Sequence, residues 1–340
     1  MRIDPSHNSE IIQYYITNYS ICPRDQGFLA KWQFVSIFLH SSLIAQIPLM
    51  ILTGYCILQK TPKAMGSLKW AMLYVHGWSC YRDILICSLL TPYYFAPPIV
   101  SSFLGLFQAL GVPMPVQMYL LNTSIGFLFN AICALFENRS SSFRRNRFRF
   151  ERNSTRFAFF SFQGVITALC LLPLYLNIPD QNSAKLGLLK RIPCPTEEFF
   201  MFPVFLLAID KPSKDHYGTV MTIQWWGTLS FILFFVLCTA YYIFKAEHIE
   251  YSAATMRLQK MFFLGNIAQI YIPQAFLVFP SVVIWQIDVF NVYNQTLLNF
   301  LTVMVSLHGL AQMLTILLVH QPYRRFVRDL FRRRRSVKPG

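Results

Sequence analysis

Charged residues are scarce in this 340-residue sequence: they make up 13% of it, against 54% hydrophobic residues. Soluble globular domains carry about 25% charged residues, because polar side chains have to cover their surface. The mean hydropathy of +0.41 agrees with this shortage. The composition therefore excludes an ordinary soluble globular fold and favours a membrane protein.

Motifs that mark catalysis, metal binding and processing are also missing. The sequence has no HExxH, GxSxG or P-loop pattern, and neither His76 nor His308 has a second ligand at metal spacing. Residues 1–30 lack the apolar run of a cleavable signal peptide, so we expect the first membrane helix to act as the signal anchor. We expect no enzyme activity and no cofactor.

Seven long apolar stretches are the main feature that the sequence does have. A helix needs about 20 residues to cross roughly 30 Å of hydrocarbon, and no charged residue lies between Lys31 and Lys60. Comparable stretches follow at residues 69–91, 113–136, 157–177, 218–244, 261–285 and 295–319. The sequence predicts an all-α membrane protein with an N-terminal segment 1–31, a seven-transmembrane helix bundle at 32–319 and a basic tail at 320–340.

Lysine and arginine are concentrated in every second gap between these stretches. Of the 30 basic residues, 21 lie at 58–69, 137–156, 245–260 and 320–340, and eight lie in the gaps on the opposite side. Basic residues near membrane ends stay in the cytoplasm, so we predict an amino terminus outside and a carboxyl terminus inside. The basic loop 137–156 then faces lipid head groups or an effector, and we expect no nucleic-acid partner.

The tail has the pattern of a short amphipathic eighth helix. Its apolar residues share one helical face, and they are Tyr323, Phe326, Val327, Leu330 and Phe331. Pro322 suits the first turn of a helix, and Arg332 to Arg335 add charges that attract anionic lipid. We expect this helix to lie along the inner leaflet, in contact with membrane lipids.

Two cysteines and one glycosylation motif fall on the predicted outer side. Cys22 and Cys194 face an oxidising environment, where a mutual disulfide is the simplest arrangement. Two free thiols are the alternative, because pairing requires Cα atoms within about 7 Å. The sequon at Asn18 is far enough from the first span to be glycosylated.

The inner ends of the third and sixth spans suggest signalling. Glu137, Asn138 and Arg139 place an acid and an arginine at the cytosolic boundary, similar to the pair that holds helix three in rhodopsin-type receptors; an arginine anchored at lipid head groups is the alternative. Pro273 lies about 18 Å up the sixth span and predicts a hinge, unless the kink is static. The predicted G-protein contacts are Glu137, Asn138, Arg139, Arg257, Lys260, Tyr323 and Arg324.

Polar residues inside the apolar spans give two further hypotheses, because a charge in hydrocarbon is costly and faces a partner or water. By helical rise, Asp83, Asn122 and His308 share one level and predict an interior polar switch. Alternatively, Asp83 pairs with Arg82, or Arg82 extends outward to the interface. The candidate ligand residues are Gln117, Tyr119, Gln224, Trp225, Gln274 and Asn299, which suit a small, mostly apolar molecule.

Several segments carry a family pattern in order along the chain. They are Gly54–Leu58, Lys60–Met65, Gly111–Pro113, Leu135–Arg139, Asn177–Gln181, Ile192–Pro195, Leu258–Lys260, Ser306–Leu310 and His320–Arg324. From about residue 30 to 331 the chain resembles the nematode serpentine receptor class H family of the Str superfamily. The resemblance implies a G-protein-coupled chemoreceptor for a small odorant or soluble cue, which signals to a heterotrimeric G protein from the plasma membrane of a sensory cilium.

Two other functional classes stay open beside this resemblance. An odorant-gated cation channel would have its amino terminus inside, contrary to the distribution of basic residues. A seven-pass transporter would usually show inverted repeats and broken helices in matching positions.

The chain also departs from rhodopsin-type receptors, because it has no cysteine at the outer end of the third span. A Cys22–Cys194 bond would have to replace the usual loop disulfide.

Overall fold

The computed structural model describes residues 3–5, 7–22, 27–63, 66–95, 100–244, 253–290 and 292–336. Its helices in chain order are α1 Ser9–Thr17, α2 Trp32–Lys60, α3 Gly66–Ile84, α4 Leu106–Ala109, α5 Met114–Ser141, α6 Asn153–Leu169, α7 Leu172–Leu176, α8 Gln181–Arg191, α9 Glu198–Met201, α10 Lys211–Phe244, α11 Ala253–Pro273, α12 Phe279–Val289, α13 Gln295–Ser306, α14 His308–Val319 and α15 Gln321–Ser336. Three short strands, β1 Pro92–Phe95, β2 Val100–Phe103 and β3 Phe205–Leu206, form one antiparallel sheet.

Six helical segments in the described part of the chain are long and apolar enough to cross a membrane. They are α2, α5, α6 with α7, α10, α11 with α12, and α13 with α14. The predicted second span corresponds to α3 and a π-helical turn, Leu85–Leu90, that continues it. The regular part of that segment has only 19 residues and carries Lys69, Arg82 and Asp83, which makes it the most polar of the predicted spans.

Helix α5 lies at the centre of the bundle, and 72% of its apolar segment is buried inside the protein. It packs against α3, α6 and α10. The helices around it turn large apolar side chains outward, including Ile44, Ile51, Leu237 and Leu264. Contiguous apolar surface of this kind would drive aggregation in water, whereas in lipid it meets a medium of its own polarity.

The predicted outer side is covered by a compact cap that contains the sheet. β2 pairs with both β1 and β3, and the register places Tyr94 opposite Ser101 and Ser101 opposite Phe205. Buried aromatic side chains fill the space between the cap and the outer ends of the helices, and they include Tyr93, Phe95, Phe103, Phe199 and Phe200. The expectation of an all-α protein was incomplete, because these loop segments are apolar enough to form a small sheet core of their own.

Several of the long helices are interrupted rather than continuous. α11 ends at Pro273, the next residues Gln274–Val278 form a π-helical turn, and α12 then continues. Proline removes the backbone donor that a regular turn needs, and π turns often accompany such irregularities. α13 and α14 are separated at Leu307, where the Gln46 amide of α2 donates to the carbonyl of Ser306 at 3.4 Å.

The tail forms helix α15 at the position where the sequence predicted an amphipathic helix. Its apolar face packs against α2, since the Tyr323 hydroxyl hydrogen-bonds the Thr61 hydroxyl at 2.6 Å and the Phe326 ring lies 5.5 Å from the ring of Tyr55. Lys60 lies over the same Phe326 ring. The side chains of Phe331 and of Arg333 to Arg335 fall outside the described part of the structure.

Candidate functional site

A cavity of about 250 Å³ lies among α3, α5, α10, α12 and α13, below strand β1. Trp225 and Leu277 contribute to its apolar wall, and Trp226 and Trp285 line it while also being exposed at the protein surface. The cavity is therefore open to a small molecule rather than sealed. A concave, mostly apolar space with a few polar groups is typical of a small-molecule site.

Arg82 supplies the charged group of this cavity. Its side chain is only 5% exposed, and it lines the cavity together with Tyr94 of β1. Among the described residues, its Nε and Nη1 atoms have no hydrogen-bond partner. The sequence offered two interpretations of Arg82, pairing with Asp83 or extension to the interface. The structure buries Arg82 and leaves it in electrostatic contact with Asp83, without a hydrogen bond from Nε or Nη1.

Asn122 belongs to the cavity rather than to the predicted polar switch. Its Nδ2 donates to the hydroxyl of Tyr175 at 2.8 Å, and its Oδ1 accepts from the hydroxyl of Tyr217 at 3.4 Å. Both Asn122 and Tyr217 line the cavity. The side-chain amide thus fixes α5 to α7 and α10, and the helical-rise estimate that grouped it with Asp83 ignored which way the side chain faces.

Of the six predicted ligand residues, the structure places Trp225 in the cavity wall. The indole Nε1 of Trp225 has no acceptor among the described residues. The other five lie outside that wall. Four of them make hydrogen bonds within the protein: Gln117 to Val112, Tyr119 to Ala168, Gln224 to Thr167 and Asn299 to Leu29. Gln274 lies in the π turn after Pro273.

Asp83 and His308 lie where α3 passes the break between α13 and α14. The Asp83 carboxylate packs so closely on Gly309, the second residue of α14, that a Cβ atom there would lie 1.6 Å from Oδ2. Both imidazole nitrogens of His308 lack a hydrogen-bond partner among the described residues, as does Oδ2 of Asp83. Asp83 is 2% exposed and His308 is 1% exposed. Two of the three predicted switch residues therefore meet at one break in the helical bundle.

At the inner end of α5, Glu137 is fully buried and ties α5 to α6. Its carboxylate accepts from Nε of Arg156 at 2.7 Å and from Nη2 at 3.1 Å, and the Ser141 hydroxyl donates to it at 2.6 Å. A bidentate pair of this kind is geometrically specific. Glu137 was predicted to contact a G protein, but in this conformation its side chain is covered by Arg156.

Arg139, two residues further on, connects α5 to α11. Its Nη2 donates to the backbone carbonyl of Gln259, and the side chain is 3% exposed. A second polar link between these inner halves runs from Gln312 of α14 to Gln269 of α11 at 3.1 Å, and from Gln269 to His320 at 3.1 Å. Burial lowers the pKa of His320 to about 4, and the charge of Arg139 acts in the same direction, so the imidazole is neutral at physiological pH.

The remaining predicted contact residues differ in their exposure. Arg257 and Arg324 are exposed, Asn138 and Lys260 are half-buried, and Tyr323 is buried. Lys260 lies 5.5 Å from the ring centroid of Phe244 at the end of α10. The Tyr323 ring is turned into the protein, toward Thr61 and Met72. It therefore positions α15 and does not face a cytosolic partner in this conformation.

On the opposite side of the molecule, the structure joins Cys22 to Cys194 in a disulfide with a Cα–Cα distance of 5.5 Å. Asn18, at the end of α1, is exposed. The described residues contain no cluster of three or more His, Cys, Asp or Glu side chains that could hold a metal ion.

Comparison with known proteins assigns this architecture. Residues 30–333 match the family described as the serpentine type 7TM GPCR chemoreceptor Srh. The chain is also 32% identical over 319 residues to a Caenorhabditis elegans protein named Serpentine receptor class H-72, and the alignment covers 94% of this chain and 92% of that protein. With membrane-length helices and a family match across most of its length, the chain belongs to the Srh family of serpentine chemoreceptors.

Proposed function

We propose that this chain is a seven-pass chemoreceptor that binds a small external cue in the Arg82 cavity and signals to a cytosolic heterotrimeric G protein. The observation that carries the proposal is a ligand-sized cavity inside a chain of the Srh family. α3 serves as the seventh membrane segment, beside the six apolar helices. The Arg82 charge that makes α3 polar faces the cavity and not lipid.

The orientation rests on charge. Lysine and arginine are concentrated on one side, since 21 of the 30 lie in the gaps before α3, α6 and α11 and in the tail. This distribution favours a cytoplasmic position for those gaps and the tail. The disulfide and the Asn18 sequon then lie outside, where oxidation and glycosylation take place. α15 lies along the inner leaflet with its arginines toward lipid. We place the receptor in the plasma membrane of a sensory cilium.

Signalling requires that a G protein reach the inner ends of the helices. In the described conformation Arg139 is held by the backbone of α11. α11 is regular up to Pro273, and the π turn that follows is the natural place for its inner part to bend. Such a movement separates Arg139 from Gln259 and adds it to the surface formed by Arg257, Lys260, Asn138 and Arg324, of which Arg257 and Arg324 are already exposed. Asp83 and His308 act at the α13–α14 break as the polar switch.

The alternatives of a cation channel and a transporter have weaker support. A channel of the odorant-receptor type would place the amino terminus inside, against the charge distribution. A tag at residue 1, stained in unpermeabilised cells, separates the two topologies. A transporter would need paired helix breaks related by an inverted repeat, and the sequence contains no such repeat.

The test is a screen of volatile and water-soluble cues with a cytosolic G-protein readout. We expect Arg139→Ala to abolish cue-dependent signalling while surface expression stays intact. Arg191→Ala is the matched control, because it removes an exposed arginine on the opposite side of the molecule. Full signalling by the Arg139→Ala receptor would contradict the proposed inner contact. Absence of any G-protein response to a cue that demonstrably binds would contradict the function itself.

A further inference from the structure

Arg82 is the starting point, because a buried guanidinium without a hydrogen-bonded counter-ion is costly. Placing an arginine at the middle of a membrane costs several kcal/mol unless it reaches water or a counter-charge. Arg82 is 95% buried by accessible area, since only 5% is exposed, and its Nε and Nη1 make no hydrogen bond within the described part of the chain. A charged side chain at such a position is a candidate functional residue.

Asp83 is the nearest acid in sequence, but it does not occupy the cavity. Its carboxylate packs on the backbone of Gly309 at the α13–α14 break, and Asp83 does not line the cavity. No aspartate or glutamate is found among the described residues that do. Asp83 still acts electrostatically on Arg82 from outside the cavity, but Arg82 is the charged residue that a ligand in this space meets.

The other polar groups of the cavity add to the same preference. Trp225 offers an indole N–H that has no acceptor in the described structure, and indole is a donor only. The side chain of Asn122 is already committed to Tyr175 and Tyr217. Arg82 and Trp225 thus supply two donor groups, one of them charged, without acceptors in the described structure. Their unpaired nitrogens have almost no accessible surface, so binding requires these side chains to turn toward the ligand. A carboxylate is an acceptor with two oxygens in one plane that fits the guanidinium fork.

The rest of the wall is apolar and the space is small. Leu121, Ile125, Met221 and Leu277 contribute aliphatic surface. A volume of about 250 Å³ equals roughly eight water molecules at ~30 Å³ each, which leaves room for a short hydrocarbon chain beside one polar head.

We propose that the cavity binds a small organic acid as its anion, with the carboxylate on Arg82 and Trp225 and a short apolar tail among the aliphatic and tryptophan side chains. This rests on the proposed function only in naming that acid as the cue; the binding chemistry stands on the cavity alone. The donor set separates this class from neutral alcohols or ketones of the same size, which leave the arginine charge uncompensated.

The experiment measures binding without any G protein. Purified receptor in nanodiscs of phosphatidylcholine is titrated at neutral pH with straight-chain carboxylates from acetate to octanoate, and with hexan-1-ol and hexylamine as neutral and cationic matches of hexanoate. Fluorescence of the cavity tryptophans and thermal unfolding are the readouts. We expect a carboxylate of intermediate length to bind at least tenfold more tightly than the alcohol, and the amine not to bind.

Variants then assign the charge. Arg82→Gln should weaken carboxylate binding at least tenfold and remove the preference over hexan-1-ol, while the ligand-free protein should unfold at the same temperature or higher because an uncompensated charge is gone. Arg82→Lys should retain the preference for the anion at reduced affinity, since lysine keeps the charge without the planar fork. Arg147→Gln, at an exposed arginine, is the matched control and should bind like the wild type.

Each outcome decides the proposal. It is wrong if no carboxylate binds the folded wild-type receptor, if hexan-1-ol binds as tightly as hexanoate, or if chloride alone gives the full response and displaces every acid. If Arg82→Gln does not fold, Arg82→Lys and Trp225→Phe carry the test, and unchanged anion affinity in both would overturn it. Carboxylate binding without G-protein signalling would support the ligand class and reject the receptor function. Signalling by a neutral cue alone would support the receptor function and reject the ligand class.

Discussion

Gly309 offers the sharpest test of how α3 meets the broken seventh segment. It is the second residue of α14, and a Cβ atom added to it would lie 1.6 Å from Oδ2, 2.3 Å from Cγ and 2.5 Å from Oδ1 of Asp83. Nonbonded heavy atoms settle at about 3.5–4.0 Å. Alanine at this position therefore forces the carboxylate and the α13–α14 break apart by roughly 2 Å.

The cost of that separation follows from the packing of the site. Asp83 is 2% exposed and its Oδ2 already lacks a hydrogen-bond partner in the described structure, so the carboxylate has no solvent to retreat into. Inserting a methyl group into a well-packed interior usually costs about 1–3 kcal/mol. In a helix, alanine is also about 1 kcal/mol more favourable than glycine. The expected net loss of stability is therefore about 0–2 kcal/mol. A control substitution without the clash should show only the gain.

Gly77→Ala is that control. Gly77 lies on the same helix as Asp83, and a Cβ atom there meets nothing within 4 Å. We expect Gly77→Ala to unfold at the same temperature as the wild type or higher. The free energy of unfolding of Gly309→Ala should be about 1–3 kcal/mol lower than that of Gly77→Ala. Unfolding of the purified receptor in nanodiscs, followed by tryptophan fluorescence, measures both.

A rescue separates collision from any other effect of the alanine. Asp83→Ala removes the carboxylate that the new methyl group strikes, so the loss caused by Gly309→Ala should shrink in the Asp83→Ala background. Equal stability of the Gly309→Ala and Gly77→Ala proteins would refute the close packing. Additive losses in the double variant would show that Asp83 is not the group displaced.

Two further predictions address the inner and outer ends. Glu137→Gln should lower stability by about 1–3 kcal/mol, because it weakens a buried bidentate pair and water solvates Arg156, which is 29% exposed, only in part. Thermal unfolding measures this loss. The control Glu151→Gln, at a side chain 76% exposed, should be neutral. Replacing Cys22 or Cys194 by serine should cost about 3–5 kcal/mol, since the bond closes a chain of 172 residues. Non-reducing peptide mapping of the wild type should recover residues 22 and 194 in one linked peptide, and free alkylation of both thiols in folded protein would contradict the bond.

The membrane helices could be predicted from sequence because the bilayer leaves the backbone little choice. With no water to satisfy its polar groups, a spanning segment has to be helical or part of a closed barrel. A run of 28 uncharged residues after Lys31 therefore becomes α2, whose bounds Trp32–Lys60 match the run almost residue for residue. The breaks were harder to predict. Pro273 marked one of them, but nothing in the residues around Leu307 marks the other.

The outer sheet could not be predicted, because strands of two to four residues leave no periodicity to read. β1 and β2 owe their stability to the buried aromatic residues of the cap, and β3 comes from a segment about a hundred residues later in the chain. Short apolar loop segments near a membrane helix look alike in sequence whether they pair into strands or not. Only the fold brings Val100 opposite Leu206.

The candidate site shows the same division between residue type and partner. The sequence identified Arg82, Asp83 and His308 because ionisable groups are rare in hydrocarbon. It did not identify what they face, since helical rise gives the height of a side chain and not its direction. In the same way, the position of Glu137 at the cytosolic boundary suggested a G-protein contact but did not show that Arg156, nineteen residues later in sequence, covers it. Five polar side chains chosen as ligand contacts lie outside the cavity wall in the same way.

Arg82 and Asp83 are neighbours on α3, yet one faces the cavity and the other faces the break before α14. Successive residues on a helix point about 100° apart, so one turn of α3 contacts both places. The π-helical turn that begins at Leu85 follows directly, and such turns are frequent at functional sites. Coupling between two sites requires an element with two arrangements that both sites bias. Because the proposed anion site and the Asp83–Gly309 contact share one turn of α3, we predict that Gly309→Ala changes carboxylate affinity relative to Gly77→Ala, and equal affinities in the two variants would contradict the coupling.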